Sequence, residues 1–355
     1  MQIPGADGIA AIRKALLAFF DAAARPLPWR ATRDPYAIWI SEVMSQQTRV
    51  ETVVPYYEQW LRTFPDVHAL ARASLDDVFR VWEGLGYYSR ARNLHAAARV
   101  IREHHAGALP CEYAQLRALP GVGDYTAGAI ASIAFGSRHA AVDGNVRRVL
   151  ARLFDQPDPA PARTREAALE LVPEDRPGDF NQALMELGAT ICTPRAPQCP
   201  RCPVRDDCAA RAAGTQAQRP RAKARRAIPA VAIATAVLRD APGRLLVVRR
   251  PAHGLLAGLW SFPGTEVDDP ADAASAVLAI ARTHAHAHGA PLPLGTVSHT
   301  FSHRRERYHC FVVDVGRTAV PCAAQDAVWI DGEDRSVALP RAQQRILRLA
   351  LGATR

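Results

Sequence analysis

The sequence contains the stretch Leu119-Pro-Gly-Val-Gly-Asp-Tyr-Thr-Ala-Gly-Ala-Ile130, which places two glycines in a tight turn directly ahead of a helix. Gly121 and Gly123 allow the backbone to come close to a ligand, because they lack a side chain. The unpaired amides at the start of the following helix attract an anion such as phosphate. The stretch therefore predicts a backbone-mediated phosphate site on a helix.

The surrounding residues, 1–212, have the pattern of helices joined by short loops. In the segment Ser74–Gly84, Ser74 is the predicted N-cap and Asp77 occupies the capping-box position. Apolar residues follow at helical spacing, and Gly84 supplies the stop signal. We therefore predict an all-α domain over residues 1–212.

Residues 213–229 are predicted to be a solvated basic linker, because their apolar residues thin to alanine. The basic residues that gather there are Arg219, Arg221, Lys223, Arg225 and Arg226.

From residue 230 the pattern alternates with a period of two, which is typical of strands. Val231–Leu238 and Leu245–Val248, separated by a turn at Asp240–Gly243, predict a hairpin. Further strands are predicted at Tyr308–Val315 and Ala327–Ile330, and helices around Pro270–His284 and Arg341–Leu351. Residues 230–355 are therefore predicted to form an α+β domain.

The bulk composition points to a polyanionic partner. The 355 residues carry a formal net charge of +9, and phosphates neutralised by such charge release condensed counterions. No run approaches the roughly 20 apolar residues that a bilayer-spanning helix needs. We therefore expect a protein without a membrane segment, in the cytoplasm.

Four cysteines crowd into one short segment with the spacing C-x6-C-x2-C-x5-C: Cys192, Cys199, Cys202 and Cys208. Cys111, Cys310 and Cys322 are scattered, unlike a disulfide framework. An all-thiolate set of four suits a [4Fe-4S] cluster or zinc. Zinc ribbons usually use two C-x2-C pairs and this segment has one, so the spacing favours iron-sulfur.

Two carboxyls stand in settings suited to chemistry. Asp143 comes directly before a predicted helix, where such a residue is most often an N-cap. Glu42 lies in the apolar string Ile38-Trp-Ile-Ser-Glu-Val-Met44, which could raise its pKa. Alternatively, Glu42 occupies an ordinary exposed position on an amphipathic helix.

These motifs together resemble the endonuclease III superfamily, and within it the MutY family of adenine DNA glycosylases. The stretch containing Gly121 and Gly123 resembles the helix-hairpin-helix motif that grips the DNA backbone. The four cysteines resemble the superfamily's [4Fe-4S] ligands. Arg195, Arg201 and Arg205 between them fit phosphate contacts or ordinary solvated charge.

The resemblance implies a role for each carboxyl. Asp143 would stabilise or capture the sugar cation that develops when the base leaves, as carboxylates do in glycosidases. Glu42 would protonate the extruded adenine and handle the water, which requires a carboxyl that stays protonated near neutral pH. Tyr125 and Asn145 would hydrogen-bond these carboxyls and the surroundings of the flipped adenine.

Two further segments resemble DNA-contacting signatures of the family. Gln46, Gln47 and Thr48 match the strand-intercalating loop, with Gln47 as the wedge. Ser45 departs from the bulkier apolar residue of many relatives, which puts the apolar part of the wedge in doubt. Tyr87, which follows two glycines, is placed to stack beside 8-oxoguanine.

The reaction type depends on one position of the resemblance. Bifunctional relatives carry a lysine after the hairpin, whose amine attacks C1′ to form a Schiff base. This chain has Tyr125 there, and a phenol cannot form an imine. We therefore predict a monofunctional enzyme that leaves an abasic site.

Residues 230–355 resemble the MutT-like Nudix domain of MutY proteins. The Nudix acidic cluster is missing, since 268–289 contains no glutamate, so we expect no Nudix hydrolase activity. Ser298-His-Thr-Phe-Ser-His303 matches the family's Phe-Ser-His reader, which places Ser302 against 8-oxoguanine. Phe301, His299 and His303 would pack around it, and a strand-packing role is the alternative for both histidines.

The sequence thus predicts an adenine DNA glycosylase that binds double-stranded DNA with 8-oxoguanine:A or G:A mispairs. We expect a monomer in a bacterial cytoplasm, associated with the nucleoid. One alternative is an endonuclease III-like lyase acting on oxidised pyrimidines, which Tyr125 argues against. Another is a non-catalytic DNA-binding or redox-sensing protein, which the joint presence of Glu42 and Asp143 argues against.

Overall fold

A computed structural model describes residues 3–222, 227–315, 326–334 and 336–352. Lys223, Arg225, Arg226 and Cys322, which the sequence analysis names, lie outside these residues. The chain forms two compact units. The first comprises Met1–Ala73 and Asn93–Ala224, and the second comprises Ser74–Arg92 and Arg225–Arg355.

The described residues contain α-helices in both units. In chain order they are α1 (Ala6–Ala23), α2 (Pro35–Ser45), α3 (Val50–Thr63), α4 (Val67–Arg72), α5 (Leu75–Trp82), α6 (Ser89–His104), α7 (Tyr113–Ala118), α8 (Asp124–Ile133), α9 (Gly144–Leu153), α10 (Pro161–Leu171), α11 (Pro177–Thr190), α12 (Ala209–Ala212), α13 (Ala273–Ala285) and α14 (Arg341–Gly352). Helix α6 crosses from the second unit into the first.

The first unit is helical, as predicted. One of its apolar clusters is built from α1, α9, α10 and α11, with Leu16, Leu150, Leu171 and Phe180 fully buried. Helix α1 buries Ile12 and Leu16. The described start of the 213–229 segment runs along this unit, where Arg219 pairs with Asp155.

Helix α8 approaches the neighbouring chain closely through Gly128. A Cβ built on this residue would lie 2.2 Å from the carbonyl oxygen of Ala140, a distance that real Cβ atoms do not reach. Because Gly128 is in the middle of the helix, its lack of a side chain serves this contact rather than a turn. The backbone that leads to Asp143 is therefore held directly against α8.

Helix α5 belongs to the second unit. Ser74 and Asp77 form the predicted capping box at its start. The carboxylate of Asp76 accepts two hydrogen bonds from the Arg249 guanidinium, at 2.7 and 3.0 Å, and a third from Trp260 at 3.3 Å. The Glu83 carboxylate accepts from the Leu339 amide at 3.2 Å. Two segments far apart in sequence therefore form this unit together.

Among the described residues the second unit contains a seven-stranded mixed sheet with the order β3-β2-β1-β6-β5. Strand β4 also pairs with β1, and β7 with β2. The strands are β1 (Ala230–Arg239), β2 (Leu245–Arg249), β3 (Trp260–Ser261), β4 (Gly264–Val267), β5 (Leu292–Thr300), β6 (Arg305–Asp314) and β7 (Ala327–Ile330). The central pair β1 and β6 is parallel, and the other pairs are antiparallel.

One helix covers each face of this sheet. Alternate residues of β1 point to opposite faces, as the pleat of a strand requires. Ile233 and Val237 pack with α14, and Ala234 and Ala236 pack with α13. This arrangement confirms the predicted α+β domain and leaves the β5–β6 connection, residues 301–304, at one edge of the sheet.

The predicted hairpin is present, since Arg239 of β1 pairs with Leu245 of β2 across the Asp240–Gly243 turn. Strand β5 was not predicted from the sequence. Pro293 and Gly295 interrupt its pattern, and the register shifts between them. An edge strand tolerates both residues, because one side of its backbone is not paired.

The described helices include none that combines the length and apolar character needed to cross a membrane.

We expect Gly128→Ala to destabilise the first unit by about 3 kcal/mol, because the added methyl group overpacks the contact with Ala140. Thermal unfolding followed by circular dichroism measures the effect. Gly144→Ala is the matched control, since a Cβ there meets nothing within 4 Å. Equal melting temperatures for the two variants would contradict this close contact.

Candidate active site

The hairpin turn has the predicted backbone geometry. Gly121 has a φ of +75°, and a Cβ on it would lie 2.6 Å from the Asn93 side chain. Gly123 is the N-cap of α8, and a Cβ there would meet nothing within 4 Å. The space beside Gly123, at the start of α8, is therefore open. Arg117 and Arg165 both reach Asp124 in the first turn, at 2.6 and 3.1 Å, and add positive charge.

Glu42 lies on α2 and is buried, with 8% of its surface exposed. This agrees with its apolar string and excludes the alternative of an exposed position. Burial raises its pKa to about 7, and the negative charge of Asp143 acts in the same direction. The hydrogen bond that Tyr125 donates to Glu42 Oε2, at 2.5 Å, opposes this rise.

Asp143 is the N-cap of α9. Its Oδ1 accepts from the Val146 amide at 2.7 Å, and its Oδ2 accepts from the Asn145 side-chain amide at 2.8 Å. Burial raises the pKa of Asp143 above its ordinary value, while these two hydrogen bonds oppose that rise. The residue therefore caps a helix and also presents a held carboxylate near Glu42.

Arg148 connects Asn145 to the cysteine segment. Its guanidinium donates to Asn145 Oδ1 at 2.8 Å, to the Gly188 carbonyl at 2.7 Å and to the Cys192 carbonyl at 2.8 Å. A Cβ on Gly188 would lie 2.6 Å from the Asn145 Cβ, so α11 and α9 are in close contact here. The orientation of Asn145, and through it that of Asp143, therefore depends on the backbone at Cys192.

The structure adds three charged residues that the sequence analysis missed. Glu186 is buried and accepts from Arg25 at 2.7 and 2.9 Å and from Arg30 at 2.8 Å. The charge of Arg30 also lowers the pKa of Glu42 slightly against the effect of burial. The signal was available, because Glu186 stands in an apolar string on α11 as Glu42 does on α2.

Met185, next to Glu186, contacts Tyr125: its Sδ lies 3.3 Å from the Tyr125 hydroxyl. Helices α2, α8, α9 and α11 thus bring Glu42, Tyr125, Asp143 and Met185 together.

The loop after α2 holds the residues predicted to intercalate. The Gln46 side chain donates to the Thr126 hydroxyl at 3.2 Å, and Thr48 donates back to the Gln46 carbonyl at 3.3 Å. Gln47 is exposed and has a φ of +55°, which is strained for a non-glycine residue. Its neighbours are therefore bonded to the protein while Gln47 itself points outward.

The four predicted cysteine ligands line one cavity, together with Arg152 and Pro197. Among the described residues, no group of three or more potential ligands converges as it would on one metal ion. Arg152 donates to the Cys192 sulfur at 3.3 Å and to the carbonyls of Thr193 and Pro194. Hydrogen bonds from Arg152 on α9 therefore hold the backbone of the cysteine segment. Arg201 and Arg205 remain exposed.

The second unit contains a cavity of about 540 Å³, which is lined by Tyr87 and by His299, Phe301, Ser302 and His303. Tyr87 is 47% exposed and has a φ of +48°. The Arg90 guanidinium lies 5.5 Å from its ring centre. The structure therefore brings the two predicted reader elements, more than 200 residues apart, to one cavity.

In the predicted reader loop, residues 299–303, the aromatic side chains contact one another. His299 and Phe301 make an edge-to-face contact at 4.5 Å between centroids, and Phe301 and His303 lie 6.3 Å apart. Burial lowers the pKa of His299. Ser302 is exposed at the tip, so its hydroxyl is open to a ligand.

Two family profiles match the chain. The HhH-GPD superfamily base excision DNA repair profile covers residues 40–174, and the NUDIX domain profile covers residues 234–349. These matches agree with the helical first unit and the mixed sheet of the second.

Known relatives match nearly the whole chain. The human adenine DNA glycosylase is 38% identical over 97% of this chain and 74% of its own length. The rat adenine DNA glycosylase is 37% identical over 96% of this chain and 78% of its own length. The expected similarity to this family is confirmed.

Solved structures match the helical part. A thermostable thymine-DNA glycosylase is 30% identical, with a TM-score of 0.56 over 58% of this chain and 98% of its own. A trapped endonuclease III-DNA covalent intermediate is 25% identical, with a TM-score of 0.52 over 59% of this chain and 97% of its own.

We expect Glu42→Gln to stabilise the protein more at pH 8 than at pH 5. The pKa of Glu42 is raised from 4.5 to about 7, so the wild type loses stability as pH rises through this window. Glutamine does not ionise and avoids this loss, which amounts to as much as about 3 kcal/mol. Melting temperatures of both proteins at the two pH values measure the difference.

Glu58→Gln on the exposed face of α3 is the matched control. A stability difference between wild type and Glu42→Gln that is the same at both pH values would contradict the raised pKa.

Proposed function

The chain belongs to the adenine DNA glycosylase family of base excision repair, and from this premise we propose that it removes adenine mispaired with 8-oxoguanine or guanine. Members of this family hydrolyse N-glycosidic bonds. The observation that carries the proposed mechanism is the buried Glu42, bonded to Tyr125 and close enough to Asp143 for their charges to interact. We propose further that the reaction leaves an abasic site.

Glu42 acts as the general acid. A carboxyl with a pKa of about 7 keeps a large protonated fraction at neutral pH and gives up its proton readily. It protonates the extruded adenine, at N7, and so turns a poor leaving group into a good one. Tyr125 hydrogen-bonds the carboxyl at this position, and Met185 contacts the Tyr125 hydroxyl.

Asp143 acts on the sugar. The bond from C1′ to the protonated base breaks with its electron pair leaving on adenine, and the sugar gains positive charge. The carboxylate of Asp143, oriented by Asn145 and the Val146 amide, stabilises or captures that charge. A water molecule then attacks C1′, and its proton passes to the carboxylate of Glu42.

Among the described residues no lysine lies at the site, which supports a monofunctional reaction. The sequence has lysine only at positions 14 and 223. Lys14 lies on the exposed face of α1, and residue 223 lies outside the described residues. Tyr125 occupies the position where bifunctional relatives carry the Schiff-base lysine, and its hydroxyl is engaged with Glu42.

We propose that Cys192, Cys199, Cys202 and Cys208 hold a [4Fe-4S] cluster. Their spacing, their common cavity and the arginine donors around Cys192 support this assignment. The four thiolates would bind the iron atoms of the cluster, and these bonds would fix the segment. Arg148 and Arg152 on α9 then hold the carbonyl of Cys192, which keeps Asn145 in place.

We propose that two elements contact DNA: the hairpin that contains Gly121 and Gly123, and the loop 46–48. The start of α8 after Gly121 and Gly123, with open space beside Gly123, suits a phosphate, and Arg117 and Arg165 add charge there. The outward, strained Gln47, flanked by Gln46 and Thr48, suits insertion into the base stack. The base must be extruded, since N7 and C1′ are shielded in the duplex.

Recognition of 8-oxoguanine is proposed for the cavity of the second unit. The oxidised base differs from guanine by an N7–H donor and an O8 acceptor. The Ser302 hydroxyl can both donate and accept, and so can pair with this edge. Tyr87 offers an exposed ring for stacking, while Phe301, His299 and His303 shape the loop.

We expect single-turnover incubation with a duplex holding one 8-oxoguanine:A pair to give strand breaks only after hot alkali. Asp143→Asn should slow the reaction by about 100-fold or more, because an electrostatic stabiliser of the cation is lost. The measurement is gel analysis of cleaved strands, on protein whose iron and sulfide content has been determined. Asp175→Asn, at an exposed loop position, is the matched control.

Breaks without alkali, or an adduct trapped by borohydride, would show lyase chemistry instead. Unchanged rates in Asp143→Asn would remove the role assigned to Asp143.

We expect Ser302→Ala to lower the preference for 8-oxoguanine:A over G:A by about tenfold, because one hydrogen bond to the oxidised edge is lost. The measurement is the ratio of single-turnover rates on the two duplexes. Ser298→Ala, on an exposed position of β5 outside the cavity, serves as the comparison. A preference that survives in Ser302→Ala would assign recognition to other residues.

A further inference from the structure

Residues 254–257 form another wall of the cavity that Tyr87 and Ser302 line, which we call the reader cavity. The backbone of this wall is unusual. In the segment 254–258, Gly254, Leu256 and Gly258 have φ values of +88°, +56° and +74°. Glycine adopts such values freely, but for leucine the left-handed conformation costs roughly 1–2 kcal/mol. Leu256 is therefore a strained residue, and such strain often marks a functional position.

The strain persists because the surrounding backbone is tied down. Arg250 donates to the Leu255 carbonyl at 2.9 Å, and Arg92 donates to the Ala257 carbonyl at 2.7 Å. The Gly258 amide donates to the Pro251 carbonyl at 3.0 Å. All three hydrogen bonds use the backbone of the segment, so none of them requires a leucine side chain at position 256.

The side chain of Leu256 instead belongs to the cavity. Leu255, Leu256 and Ala257 line it together with Tyr87 and Ser302. Leu256 is only half-buried, so part of its apolar surface faces the open space. Glycine or asparagine would adopt the same backbone with less strain, and the chain nevertheless carries a bulky apolar residue there.

We propose that Leu256 is a specificity-determining residue that packs against the base held in the reader cavity and excludes water from the Ser302 hydrogen bond. This inference rests on the proposed recognition of 8-oxoguanine. A hydrogen bond gains strength where water is excluded, and a mismatched donor or acceptor there is penalised more heavily. An apolar wall beside Ser302 therefore widens the difference between the oxidised base and guanine.

The test uses the full-length, cluster-containing protein and duplexes with an uncleavable adenosine analogue opposite 8-oxoguanine or guanine. We expect Leu256→Asn to lower the ratio of the two affinities about fivefold, since partial burial of a leucine is lost. The melting temperature should stay the same or rise, because asparagine tolerates the left-handed backbone. This combination separates a role in recognition from a role in folding.

Two variants serve as controls. Leu256→Met keeps apolar bulk in the same conformation and should retain the affinity ratio. Leu292→Asn removes a leucine that is 56% exposed on β5, outside the cavity, and should leave the ratio unchanged. An unchanged ratio in Leu256→Asn, or an equal loss in Leu256→Met, would overturn the assignment.

Ser302→Ala in the same assay distinguishes failure of the role proposed for Leu256 from failure of the proposed 8-oxoguanine recognition. A lower ratio in Ser302→Ala with an unchanged ratio in Leu256→Asn rejects the role of Leu256 and keeps the reader. A wild type without any preference between the two duplexes rejects the reader and, with it, this role.

Discussion

The burial of the Glu42 carboxyl beside Tyr125 and Asp143 is the constraint on which the first unit depends. A buried carboxyl retains its proton to a higher pH than an exposed one, which an acid catalyst at neutral pH requires. That burial costs stability, so the helices around it must be fixed by other means. Close backbone contacts at Gly128 and Gly188, and the arginine network from α9, supply that rigidity.

The two carboxyls that we propose as reactive have different surroundings in this unit. Glu42 has one strong neutral donor and an apolar setting, which favour the protonated form. Asp143 has two amide donors at a helix start, which support the charged form against burial. One protonated carboxyl and one carboxylate can therefore coexist within range of each other's charge, as the proposed mechanism requires.

Local patterns in the sequence predicted the helical character of the first unit, four of the seven strands of the described sheet, and α13 and α14. They could do so because capping, helical spacing and strand alternation act over a few residues. The capping box at Ser74 and the hairpin after Arg239 are examples. Contacts that join distant segments were not predictable in this way. The ion pairs of Glu186 with Arg25 and Arg30 each join residues more than 150 positions apart. Strand β5 was missed for a different reason, because Pro293 and Gly295 interrupt its alternating pattern.

The membership of Ser74–Arg92 in the second unit has a consequence for modularity. The sheet and its helices come from the C-terminal half, yet α5 lies between helices of the first unit in the chain. Val78, Phe79 and Trp82 of α5 are fully buried, and Asp76 is bonded to Arg249. A single fusion point near residue 225 would thus not transfer the unit intact. Recombination that exchanges C-terminal halves between homologues would have to preserve the 74–92 insert as well, so the two halves of the gene are expected to diversify together.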